Sequence, residues 1–173
     1  MQEPKSENTA APTIADRDLY EFGLITRNFE ISMFWQRSNY FLVLNTALAV
    51  GFFTTKGLSS VALAVFGVFA SLMWFRVCLG GKFWQARWEQ RLAKFEKKLA
   101  PDLHFFAADW SMVFADVESS LKSSGHKGRM RLWLDKGTMK KHSVSYNMTL
   151  LALSFVAAWA LAAAIQGWAA WPK

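Results

Sequence analysis

The hydrophobic and polar positions of this chain change period several times, and each change marks an expected element. From residue 38 to 79 the chain reads SNYFLVLNTALAVGFFTTKGLSSVALAVFGVFASLMWFRVCL, with Lys56 near the middle and Arg76 near the end as its only charges. On either side of Lys56-Gly57 nearly every residue is apolar or small. This pattern predicts two membrane-spanning helices, 38–55 and 58–79, joined by a very short turn. Eighteen residues at 1.5 Å each reach about 27 Å, just enough for a hydrocarbon core about 30 Å thick. A third uncharged run, 144–168, is rich in alanine and predicts a third span. Trp159, Trp168 and Trp171 crowd its far half, as an interface belt does.

Between and before the spans the period is that of amphipathic helices. Residues 1–15 carry Pro4 and Pro12 among small and polar residues and predict a disordered tail. In 16–37, Phe22, Ile25, Phe29 and Met33 recur at steps of 3, 4 and 4, one face of a helix that Asp16 or Asp18 can cap. After Gly80-Gly81 a separate helix is expected. Its stripe is Trp84, Trp88, Leu92, Phe95 and Leu99, opposite a face crowded with Lys and Arg, and Pro101 ends it. That stripe is expected to pack on a neighbour or a sister subunit, or to lie on the membrane surface. A second amphipathic helix is expected over 102–118, with Phe106, Trp110, Val113 and Val117 as its face. A loop over 119–128 and a basic segment over 129–143 follow. The cytosolic region as a whole is 80–143. The expected fold is thus an all-α integral membrane protein: a transmembrane hairpin, a third transmembrane helix and a cytosolic amphipathic layer.

Composition supports the membrane assignment. The 173 residues are 53% hydrophobic and include nine Trp and fifteen Phe, while the mean hydropathy is only +0.11, so part of the chain is well solvated. The N-terminal stretch has no apolar signal-peptide core, so the first span is expected to direct its own insertion. The single cysteine, Cys78, excludes an intrachain disulfide.

Net charge is +7, and its distribution gives a direction. Residues 76–141 hold fourteen Lys/Arg against seven Asp/Glu, whereas the turn offers only Lys56 and the tail after 168 only Lys173. By the positive-inside rule the central segment and the N-terminus are cytoplasmic and the C-terminus lies outside. The basic run before the third span, with Lys127, Arg129, Arg131, Lys140 and Lys141, fits anionic lipid headgroups better than nucleic acid.

No catalytic or cofactor motif emerges. His104, His126 and His142 lack metal-ligand spacing, and the chain has no phosphate loop, GxSxG or HExxH. The expectation is a protein that is not an enzyme and needs no cofactor. Asn45 is the one strongly polar side chain deep in a span. An amide there wants a protein partner rather than acyl chains. Asn45 and Thr46, with Gly67 and Ser71 at small-xxx-small spacing, are candidates to face an oligomer or line a pore.

The run WQRSNYFLVLNTAL resembles the entry to the first span of the RipA-like small octameric membrane proteins of bacteria, through Arg37, Asn39, Tyr40, Phe41, Leu42, Asn45, Thr46, Ala47 and Leu48. The stretch MWFRVCLGGKFWQARWEQRLAKFEKKLAP, followed by FFAADW, resembles that family's segment after the second span, through Trp74, Phe95, Glu96, Leu99, Pro101 and Trp110. The resemblance spans residues 27–110 and implies a bacterial inner-membrane protein that forms a ring-like homo-oligomer, with no known enzymatic activity. The expected function is an oligomeric scaffold or pore, with membrane-perturbing effectors of phage defence as an architectural analogy. The alternative is a non-conducting anchor that recruits a cytosolic partner protein.

Overall fold

The computed structural model describes residues 15–123, 128–140 and 143–170. The described residues form five helices: α1 Asp16–Thr54, α2 Leu58–Leu99, α3 Trp110–Ser123, α4 Arg129–Thr138 and α5 Val144–Ala170. The tail before Ala15, as well as Lys127, Lys141, His126, His142 and Trp171, lies outside the described residues.

α1 and α2 form one long antiparallel hairpin. Their 39 and 42 residues reach about 58 and 63 Å, roughly twice a hydrocarbon core. The hairpin turns between Thr54 and Leu58. Gly57 adopts φ +66, a left-handed conformation that a side chain strains. α5 lies against α2 and reaches α1, completing a three-helix bundle. One cluster joins Leu48, Ala64, Ala70 and Trp159. A second joins Trp74, Cys78 and Ala152, packed round by Phe34, Phe41 and Phe155.

Several boundaries differ from the sequence-based expectation. The amphipathic stretch 16–37 and the first span are a single helix. So are the second span and the helix expected after Gly80-Gly81. Glycine lowers helix propensity by about 1 kcal/mol but removes no backbone hydrogen bond. Gly81 also serves packing, since a Cβ there would come within 2.8 Å of the Phe34 ring. Residues 102–109 are not helical, and α3 starts only at Trp110 and runs on to Ser123. Phe106 is therefore a loop residue. At the other end, Ala15 rather than an aspartate is the N-cap, and Asp16 instead forms an ion pair with Lys98 of α2.

Two helices, α2 and α5, are long and apolar enough to cross a membrane. α1 falls below that standard because Asn39, Asn45 and Thr46 dilute the apolar run of its second half.

Candidate functional site

Polar residues of α1, α2 and α5 converge inside the bundle. Asn45 of α1 is wholly buried. Its Nδ2 donates to the carbonyl of Phe41 one turn back, at 2.8 Å. Its Oδ1 accepts from Ser71 Oγ of α2 at 2.9 Å and from Trp159 Nε1 of α5 at 2.7 Å. One amide thus ties three helices together, with its nitrogen and its oxygen both bonded inside the bundle. The Trp159 indole lies flat over Gly67, where a Cβ would sit 2.3 Å from the ring, and meets Phe52 edge-on at 5.8 Å. About two turns back along α1, Trp74 Nε1 points at Ser38 Oγ, 3.4 Å away, with the ring stacked on Phe41.

These positions bear on the candidate oligomer- or pore-facing set. Asn45, Gly67 and Ser71 are buried within a single protomer, because a bulky Trp on the third helix fills the groove that their small side chains open. Thr46 alone faces outward, and its hydroxyl is turned back onto the Leu42 carbonyl at 2.9 Å. Trp159 is likewise no interface-belt residue. It is 6% exposed, and its indole N–H needs the acceptor that Asn45 provides. Trp168, by contrast, is 87% exposed.

A second polar centre fixes the end of the hairpin far from Gly57. Glu96 is 2% exposed. Its Oε1 accepts from the Phe105 amide at 2.5 Å, and its Oε2 from those of Phe106 and Ala107 at 2.6 and 2.9 Å. His104, just before these amides, has φ +50, a left-handed turn that aims successive N–H groups at one anion. The Arg27 guanidinium lies 5.3 Å from the Phe106 ring centroid and reaches Glu89 Oε1 at 3.2 Å. Tyr20, on the same side of α1, has its hydroxyl pushed above the ordinary value of 10.0, first by burial and then by the negative charge of Glu96. Glu96 stands in the stretch used for the family resemblance, but periodicity places it among solvated charges. Nothing local marks it as buried, because its partners are amides of a loop ten residues on.

The amphipathic stripe of α2 is divided. Leu92 is buried beneath α1, against Gly23, and Trp88 and Phe95 are half-buried, while Trp84 and Leu99 stay exposed. A polar chain then links the stripe's flank to the start of α5. Gln85 Nε2 donates to Glu89 Oε1 at 3.0 Å, and Ser145 Oγ donates to Gln85 Oε1 at 3.1 Å. The cavity beside it, about 170 Å³ and lined by Glu30, Phe34, Trp35 and Ser145 among others, is smaller than ordinary small-molecule sites.

Of the basic candidates before α5, Arg131 pairs with Asp135 one turn on, at 3.3 Å, and Lys140 is exposed. Arg129 begins α4, and its side chain lies outside the described residues.

Two helices long and apolar enough to cross a membrane, joined to α1 through the matched polar atoms of Asn45, Ser71 and Trp159, are the pattern of an α-helical membrane protein. The match to known families is specific. The model of the Octameric membrane protein family (8xMP) matches residues 17–168, and the chain belongs to that family. The match takes in α4 and α5 as well as the hairpin, beyond the 27–110 stretch that carries the sequence resemblance. No curated protein and no solved structure matches the chain.

Proposed function

We propose that this chain is the protomer of a homo-octameric, non-conducting scaffold in the bacterial inner membrane. Three spans, at 38–54, 58–79 and 144–168, cross the bilayer. The N-terminus and the helical layer of 82–140 are cytoplasmic, and the C-terminus lies outside. The family match supports the octamer, and the charge distribution supports the orientation. The first span rests on the continuity of α1 and its sharing of both apolar clusters with the two more apolar helices.

The observation that carries the scaffold over the pore is the Asn45 knot. The polar groups that would line an axial path are consumed within each protomer, and Thr46 on the outer face is bonded to its own helix. A ring of such protomers offers apolar walls to its neighbours and its lipids. The cytoplasmic layer is the working surface. α4 presents Met130, Trp133 and Leu134 on one face, all exposed, with basic residues opposite. It lies immediately before a span, where such a helix rests on anionic headgroups. We assign the assembly no catalytic step and no cofactor.

Two measurements test this. Native mass spectrometry of the membrane-extracted protein gives eight copies. Induced expression with a membrane-potential dye leaves the potential unchanged. Depolarisation on expression of the wild-type chain refutes the scaffold and restores the pore or effector.

A further inference from the structure

The protomer leaves two surfaces of opposite character open below the membrane. None of the fourteen residues of α3 is buried. Val113, Phe114 and Val117 share one face and are 37%, 39% and 36% exposed, with Asp109 and Asp116 along its edge. The outward side of α2 beyond Gly81 is the reverse. Phe83, 64% exposed, is followed at steps of 4, 4 and 3 by Arg87, Arg91 and Lys94, all exposed. Among the described residues, neither Arg91 nor Lys94 has an acidic partner.

Membrane geometry requires two such unlike surfaces. Copies inserted the same way up are related only by an axis normal to the bilayer. Eight of them around that axis form a cyclic ring, which closes through head-to-tail contacts between two different patches. The heights also agree. The segment leading into α3 is tied to Glu96, and the start of α5 is tied to Gln85 and Lys82. The chain between them therefore begins at the depth of residue 96 and returns to that of residue 82, about 21 Å away. The basic face of α2 in a neighbouring copy occupies that same band. The acidic edge of α3 is repelled by anionic headgroups, so the bilayer is the wrong cover for it.

We propose that α3 of each protomer docks through Val113, Phe114 and Val117 onto the Phe83–Arg87–Arg91–Lys94 face of α2 in the next copy, with Asp116 facing the basic side chains. This inference rests on the ring proposed above, which fails separately if the wild-type mass is not that of eight copies.

The test uses the full chain in membranes with Cys78→Ser, which removes its one cysteine. Ser120→Cys, beside Asp116 on α3, and Gln90→Cys, exposed on the α2 face, are added together and oxidised. A head-to-tail interface gives a covalent ladder climbing past the dimer toward the octamer. An internal disulfide in monomers, a limit at dimers, or no cross-link in protein that is octameric by native mass overturns the interface. The last result assigns α3 to another partner. If the cysteine variant does not assemble, charge reversal decides. Asp116→Lys and Lys94→Asp each remove most of the octamer, and their combination restores it. Failure of the combination to restore assembly overturns the proposal.

Discussion

Asn45→Leu is the most direct probe of the bundle. The substitution keeps the approximate volume and is ideal for lipid, so hydropathy alone makes it stabilising. The geometry requires the opposite. Leucine removes the acceptor of two interhelical bonds, 2.9 Å from Ser71 Oγ and 2.7 Å from Trp159 Nε1. The Ser71 hydroxyl can turn back to a carbonyl of its own helix, as Thr46 and Thr54 already do, and loses little. The Trp159 N–H is held in place by a ring wedged over Gly67 and, unlike a hydroxyl, cannot turn toward another acceptor without moving that ring. An interhelical hydrogen bond in a membrane is worth about 0.6 kcal/mol on average and about 1.7 at most. A stranded buried donor costs about 1–3 kcal/mol. The net loss is therefore about 2–3 kcal/mol, a shift of roughly 30- to 150-fold in the unfolding equilibrium. Unfolding in mixed micelles, followed by far-ultraviolet circular dichroism, measures it. Adding Trp159→Phe removes the stranded donor, so the double variant is more stable than the sum of the single losses by about 1–2 kcal/mol. Wild-type stability of Asn45→Leu, or strict additivity of the pair, refutes the reasoning.

Neighbouring glycines separate by what stands above them. Gly80→Ala meets nothing within 4 Å and stabilises the helix by up to about 1 kcal/mol, whereas Gly67→Ala drives into the Trp159 ring and costs about 1–3 kcal/mol, both read from thermal unfolding in micelles. Glu96→Gln keeps one acceptor oxygen and turns an amino group toward backbone amides, losing about 2–4 kcal/mol of local stability. Limited proteolysis accelerates within 102–109 while the helical signal of the spans holds. For Tyr20 the raised folded pKa means that its stabilising contribution is present below about pH 10 and is lost as pH rises through the raised value. The stability difference between wild type and Tyr20→Phe is therefore constant below about pH 10 and changes as pH rises from there through the raised value; a change near neutrality counts against the assignment.

The membrane character, the Lys56-Gly57 turn and the amphipathic stretches were decided by composition and period, because each depends on neighbours within a few residues. The need of Asn45 for a protein partner was legible for the same reason: an amide in a hydrocarbon run is costly wherever it points. Which partner it takes was not legible. Ser71 is 26 residues away and Trp159 is 114, and only the docking of α5 over Gly67 brings the three side chains into one internal clasp. Glu96 is the clearer case. Its sequence context is that of a solvated charge, yet three loop amides bury it, and no periodicity encodes a contact made by a loop's backbone. The helices through residues 37–38 and 80–81 stay unbroken for a related reason. Local polarity and glycine mark a weak point in propensity, but the long packed seam between α1 and α2 outweighs the small cost of crossing it.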